Sequence, residues 1–204
     1  MSYGVANSWF VRVRSQIAFH PMRVIAGIHK GKRLRINLGL RVRPTSDRLR
    51  ETLFNILAPF IDGADFLDLC AGSGAVGIEA LSRGAARATF VEHSRRALTA
   101  LVENLARCGI GDEAELVQRD AVSAVKQFIQ TGRRFDLIFC DPPYASPIYT
   151  PLLELLGTQP VLKDDGQLIV EHHVKYPIAE VVGHLRRFRA VRQGESTLSF
   201  FSRL

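Results

Sequence analysis

"LDLCAGSGAVGIEALSRG", residues 67 to 84, joins an apolar strand to a helical pattern through Gly72, Gly74 and Gly77. The spacing is G-x-G-x-x-G, and it stands where a strand ends and a helix begins. Glycines at such a junction let the backbone turn tightly and come close to a bound ligand. Alone, the motif indicates a nucleotide-binding type of fold and leaves the ligand open.

Reading outward, "DFLDLC" (65 to 70), "RATFVE" (87 to 92), "AELVQ" (114 to 118), "FDLIFC" (135 to 140) and "QLIVEH" (167 to 172) predict short strands. Helical patterns lie between the first four. Ile78 and Leu81 lead to a stop at Gly84, while Leu98, Leu101, Val102 and Leu105 lead to a stop at Gly109. Val122, Val125, Phe128 and Ile129 follow Asp120. Apolar strands joined by helices imply an α/β fold, a Rossmann-like, doubly wound and mostly parallel sheet covered on both faces. Ligands of such sheets bind outside the carboxyl ends of the strands.

Glu92 ends the second strand, at the spacing from Gly72 at which an acid accepts the hydroxyls of an adenosine ribose. NAD and S-adenosylmethionine both carry that ribose. Asp68, inside the first strand, separates them. A carboxylate there repels a pyrophosphate and suits a sulfonium with an ammonium-bearing tail, so the expected cofactor is S-adenosyl-L-methionine. Ala71, Gly72, Ser73 and Gly74 are the loop expected to line it. Asp120 and Ala121, after the third strand, are placed to meet the adenine amine and ring edge; Asp120 reads equally well as a helix N-cap. His93 reads as an adenine-packing residue or as a loop residue.

In a doubly wound sheet the fourth strand lies beside the first, so "CDPPYASP" (140 to 147) belongs next to the methyl-bearing sulfur. The two prolines remove two backbone donors and stiffen the turn. Asp141 and the Pro142 carbonyl can accept hydrogen bonds, Pro143 holds the turn, and Tyr144 offers a flat face. A planar group with an exocyclic amine fits this corner, as a nucleobase does. The bland alternative is a rigid turn whose tyrosine caps the sheet.

The 204 residues carry 27 Lys and Arg against 20 Asp and Glu, a formal charge of +7. Residues 22 to 50 hold nine of those cations and one acid, Asp47. Lys30, Lys32, Arg33, Arg35, Arg43, Arg48 and Arg50 are the candidate RNA contacts, since such a segment can neutralise several phosphates. Thr45, Ser46 or Asp47 can cap the helix that follows. Three cysteines without a Cys-x-x-Cys pair suggest neither a disulfide framework nor a zinc site, and fit a reducing cytoplasm. Cys70 and Cys140 read as small buried thiols. His172 and His173 are adjacent in a strand, point to opposite faces and cannot chelate one metal together. No apolar run approaches the ~20 residues of a membrane span.

"RPTSDRLRETLFNIL" (43 to 57), the glycine stretch (67 to 85), "FVEHS" (90 to 94) and "FDLIFCDPPY" (135 to 144) resemble the bacterial 16S ribosomal RNA guanine-N2 methyltransferase D family. The resemblance covers about residues 22 to 204. Its most specific part is the R-P-T-S-D-R-L-R-E-T-L-F-N block beside "RVIAGIHKGKRL". It implies a class I methyltransferase with a seven-stranded sheet, closed by "RRFRAVRQ" and "STLSFFS". It also implies methyl transfer to the N2 amine of one guanine in 16S rRNA of the small subunit. An already activated sulfonium donor requires no metal, the small recognition surface leads us to expect the base to be presented within an assembled or assembling subunit, and a monomer is the default. The organisation expected is an extension or misassigned start over 1–21, a basic RNA- and cofactor-contacting segment over 22–58 and the methyltransferase domain over 59–204. Adenine-N6 transfer to nucleic acid and glutamine-N5 transfer to protein are the rival readings; a nicotinamide-dependent oxidoreductase would leave Asp68 and Asp141 to Tyr144 idle, and a noncatalytic RNA-binding module would leave the strand-end acids unexplained.

Overall fold

The computed structural model describes residues 22–36, 46–143 and 148–204. Strands β1 (Asp65–Asp68), β2 (Arg87–Val91), β3 (Ala114–Val117), β4 (Phe135–Cys140) and β5 (Leu162–His173) form a parallel set. β8 (Ser196–Arg203) lies antiparallel to β5, and β7 (Leu185–Gln193) antiparallel to β8. The order is β3-β2-β1-β4-β5-β8-β7-β6, with the chain reversing direction across the sheet between β1 and β4. That is the doubly wound arrangement expected.

The sheet has eight strands where seven were expected. The added one, β6 (Val181–Val182), is two residues long and pairs only with Leu185 and Arg186. Two residues lack a periodicity that a pattern reading could register. The structure also adds a helix between β4 and β5: α5 (Tyr149–Thr158), whose Leu152, Leu153 and Leu156 are buried.

Helices α2 (Ala75–Ser82), α3 (Arg95–Cys108) and α4 (Ala121–Gln130), with α5, are the crossovers of the parallel set. Gly109 closes α3 at φ 75°. α1 (Asp47–Leu57) precedes the sheet and is capped by Ser46, whose side chain accepts from the Leu49 amide at 3.2 Å. Leu49, Leu53, Phe54 and Leu57 bury its inner face against Phe66 of β1, Phe139 of β4 and Phe200 of β8. Burying one such side chain is worth about 1.5–3 kcal/mol. α4 and α5 cover the opposite face, with Phe128, Leu152 and Leu156 on Leu67, Ile138 and Val170.

Residues 22–36 fold back as a basic hairpin, bridged between Arg23 and Arg33. Met22, Val24 and Leu34 share the core of α1 and the sheet. The carboxylate of Glu79 on α2, fully buried, accepts from the amides of Ile25 and Ala26 at 2.7 and 2.9 Å. It is also paired with Arg83 at 2.7 Å. Ser82 accepts from the His29 amide, and its hydroxyl donates to the Ala26 carbonyl. Asn104 of α3 binds both the amide and the carbonyl of Arg35. The helix that follows the glycine loop thus carries the basic hairpin on its back.

Candidate functional site

The carboxyl ends of β1, β2 and β4 meet at one edge of the sheet. β1 pairs with both neighbours, Asp68 standing opposite Phe90 on one side and Phe139 on the other. Past Asp68 the chain stays in step with both: Leu69 donates to the Phe139 carbonyl at 2.9 Å and Ala71 to the Val91 carbonyl at 3.0 Å. The loop from Ala71 to Gly74 therefore stands between the ends of β1 and β2, and Asp141 emerges beside it.

The three glycines of that loop face different surroundings. Gly72 has φ 54°, and a Cβ there would meet no atom within 4 Å, so this residue opens onto free space above the sheet. Gly74, at φ 79°, is the N-cap of α2, and a Cβ on it would lie 2.1 Å from Leu101 of α3. Gly77 packs α2 onto β2, where a Cβ would come within 2.2 Å of the Phe90 ring. The first glycine leaves room for a ligand, and the other two bring helix and strand close.

Two carboxylates hold the loop. Glu92 Oε2 accepts from the Gly72 amide at 3.0 Å and Oε1 from the Ser94 amide at 2.7 Å, which fixes the group in place. A carboxylate has about four lone-pair sites, so Oε2, with one amide on it, keeps capacity for a hydroxyl. Asp68, 2% exposed, accepts from the Gly77 amide at 3.0 Å. Burial pushes its carboxyl up to about 7, against the bonds from the Gly77 and Cys70 amides and with help from nearby Glu92. A buried acid of this kind favours a cationic neighbour. The space above Gly72, the anchored Glu92 and the sequestered Asp68 together fit an adenosyl group with a positively charged sulfur and amine.

Around them, Ala71 is buried and Ser73 partly so, its carbonyl accepting from Asn104 at 2.8 Å. His93 is exposed, with Nδ1 3.2 Å from Glu92 Oε1. Asp120 is the N-cap of α4, its Oδ1 accepting from the Ser123 amide at 2.9 Å; this bond holds its carboxyl below the usual range. Ala121 is buried at the start of that helix.

Asp141, Pro142 and Pro143 leave β4 without helix or strand structure, Asp141 half-buried, Pro142 buried and Pro143 exposed. Tyr144 lies outside the described residues. Sequence reasoning does not single out Tyr149, at the start of α5, yet its hydroxyl lies 3.0 Å from the Pro142 carbonyl and 3.0 Å from the Glu171 carbonyl of β5. It clasps the corner to the neighbouring strand. The apolar run "IYTPLLELL" is the available signal, since it predicts a helix that starts with this tyrosine. Below the corner, the Cys70 thiol is pushed well above its usual range by its hydrogen bond with Cys140 and by burial, as suits an inert packing residue. His172 is buried against Ser199, 2.9 Å away.

Of the candidate RNA contacts, Lys30, Lys32, Arg33 and Arg35 are exposed on the hairpin, Arg35 paired with Glu103 of α3, and Arg48 is exposed on α1. Arg43 lies outside the described residues, as do residues 1–21. Arg50 corrects the expectation. It is 0% exposed, and its Nη2 donates to the Arg23 carbonyl at 2.7 Å and to Asp47 at 2.9 Å. The helical period turns it inward beside Leu49 and Leu53, so it braces the hairpin against α1 rather than facing a phosphate.

Among the described residues no group of three or more His, Cys, Asp and Glu could hold a metal ion. No helix among them is long and apolar enough to cross a membrane.

The family model described as Conserved hypothetical protein 95 matches residues 22–202. The chain is 36% identical over 182 residues to the Escherichia coli (strain K12) protein named Ribosomal RNA small subunit methyltransferase D, covering 89% of this chain and 90% of that one. It is 34% identical over 169 residues to the protein of the same name from Haemophilus influenzae, covering 82% and 86%. Among solved structures, the E. coli protein yhhF superposes with a TM-score of 0.78 at 34% identity, over 90% of this chain and 98% of that one. A hypothetical protein from Thermus thermophilus gives a TM-score of 0.76 at 29% identity, over 89% and 99%.

Proposed function

The chain belongs to the family described as Conserved hypothetical protein 95, the small-subunit rRNA methyltransferase D family, and from that membership we propose that it is an S-adenosylmethionine-dependent methyltransferase acting on the N2 amine of one guanine in 16S rRNA. The observation that carries the reading is the meeting of Gly72, Glu92, Asp68 and the Asp141–Pro142 corner at adjacent strand ends. Glu92 takes the ribose hydroxyls, Asp68 faces the positive end of the cofactor, and Ala71 to Gly74 line its path. His93, Asp120 through its second oxygen, and Ala121 border the adenine. When bound, the cofactor supplies an activated methyl group on a sulfonium.

The chain's own work is on the base. A guanine amine is a poor nucleophile because its lone pair is delocalised into the ring. Asp141 and the Pro142 carbonyl accept its two hydrogens, draw them from the ring plane and stabilise the positive charge that grows on nitrogen in the transition state. Tyr149 uses one lone pair of that carbonyl, and the second remains for the amine. Tyr144 stacks on the base, and Pro143 keeps the turn stiff. The surplus proton leaves through Asp141 or water. Holding amine and methyl in line can lower a barrier by ~7–11 kcal/mol in favourable systems. The base reaches the corner unstacked.

Residues 22–58 serve as the RNA-contacting segment and 59–204 as the transferase proper. The monomer acts on RNA inside an assembled or assembling small subunit, in the cytoplasm. The test is transfer from labelled S-adenosylmethionine to small subunits lacking their own guanine methylation, with nucleoside analysis and Asp141→Ala alongside. N2-methylguanosine that vanishes with the variant is the expected outcome. N6-methyladenosine would overturn the guanine assignment, and transfer to protein alone would overturn the RNA substrate.

A further inference from the structure

β7 carries a patch that the methyl-transfer corner does not use. Its sequence LRRFRAVRQ holds four arginines and no acid. Arg187 is engaged, donating to the Ile178 carbonyl and to Glu180. Arg186 and Arg189 are exposed and make no ion pair with any described residue. The register puts Arg186 opposite Ser202 and Arg189 opposite Phe200, hence on the face of the sheet that α1 covers farther along. Phe188 is the extra residue where the pairing shifts between Arg187 and Arg189. It is 52% exposed, with its ring centroid 6.2 Å from that of Phe200. A bulge re-aims a side chain, and here it stands an aromatic out between two guanidinium groups.

Charge on an edge strand commonly serves to block pairing with another chain. β7 is such an edge beyond Arg186, where β6 stops. That role needs no exposed aromatic, and Phe188 works against it. Cations flanking a free ring are instead the combination that holds an RNA strand, phosphates on the arginines and a base on the ring. β7 lies three strands from β4, about 14 Å at ordinary strand spacing. It runs in the same direction as β5, and through β8 and β5 the register sets Arg189 level with Phe139 of β4, two residues before Asp141, with Arg186 farther from that edge.

We infer that Arg186, Phe188 and Arg189 form a second RNA-binding surface, which grips the strand flanking the target nucleotide. The surface rests on the RNA substrate proposed above. Arg192 provides an internal control, being an exposed cation of the same strand that pairs opposite Thr197 on the other face.

The experiment compares wild type, Arg186→Ala/Arg189→Ala, Phe188→Ala and Arg192→Ala in methyl transfer to small subunits and in binding across a salt series. The double variant raises KM for the subunit about tenfold or more and lowers the slope of log affinity against log salt by roughly 1 to 2. Phe188→Ala raises KM by about tenfold with the salt slope kept. Arg192→Ala behaves as wild type. Unchanged KM and slope in the double variant, or an equal effect of Arg192→Ala, would remove this surface while leaving the transferase reading intact. Wild-type protein that transfers no methyl to any RNA would remove both. A concentration-dependent dimer, broken by Phe188→Ala without any change in RNA binding, would give the face to a second copy of the chain.

Discussion

At the residue scale the site depends on two groups whose neighbours dictate their behaviour. Asp68 titrates near 7 because it is buried, so the folded chain keeps a proton that the unfolded chain, with the ordinary value of 3.8, has lost. Stability therefore falls as pH rises from about 4 to about 7, and Asp68→Asn flattens that decline in urea titrations across the window. The cofactor's positive charge prefers the ionised form, so its affinity rises toward pH 7 by up to about tenfold per unit and then levels off. Isothermal titration at stepped pH reads this directly, and an affinity that fell with pH would sink the assignment of Asp68. Tyr149 is the other case. Tyr149→Phe frees the Pro142 and Glu171 carbonyls from their clasp and loosens the corner. It lowers kcat by about tenfold, in line with the one donor hydrogen that the two carbonyls share, while cofactor affinity stays as it was. A loss of cofactor affinity equal to the loss in kcat would mean that the tyrosine only supports the fold. Asp68 and the corner are legible in the sequence because each sits inside a motif; Tyr149 is not, since its partners are backbone carbonyls of other elements and leave no residue pattern.

At the element scale the hairpin of residues 22–36 closes on its own backbone, Val24 donating to the Lys32 carbonyl and Leu34 to that of Met22, and is held to the body by α2, α3 and Arg50 of α1. Glu79 is the principal anchor, a fully buried carboxylate that satisfies two hairpin amides and Arg83. Glu79→Ala leaves those donors and a cation without their acceptor, at a cost of about 3–5 kcal/mol. Urea unfolding gives the magnitude, and limited proteolysis of the variant is expected to cut first within 22–36. A change under about 1 kcal/mol would show that the hairpin is held by its apolar residues alone. The helices of the parallel set are readable because each presents its apolar stripe at helical spacing between strands. Arg50 is misplaced by residue type for the same reason that Glu79 escapes it: a charged residue on an otherwise apolar helix face is assigned to solvent, and only packing reveals a buried partner.

At the scale of the whole molecule, two surfaces converge on one edge of the sheet. Asn104 binds the Arg35 backbone on one side and the Ser73 carbonyl of the glycine loop on the other, so the basic hairpin and the glycine loop share a support. Replacing Lys30, Lys32 and Arg33 with alanine lowers the salt slope of RNA binding by roughly 2 to 3 and weakens binding to all RNA sequences alike. Filter binding across a salt series checks it, and an unchanged slope would place the phosphate contacts elsewhere. The sequence by itself determined the doubly wound sheet and the glycine loop at its strand ends, and it marked Asp68 and Glu92 as carboxylates of the candidate site. Those follow from local patterns, because strand periodicity and loop chemistry are written in neighbouring residues. Only the tertiary structure decided that Arg50 is buried, that Asp120 caps α4, that Tyr149 clasps the corner and that Phe188 stands between two arginines. Each of these depends on backbone geometry, on contacts between distant elements, or on one added residue in a pairing register; a single stretch of chain offers the Asp120 cap as one of two readings and shows arginines around Phe188, but not which cap forms or which face the ring takes.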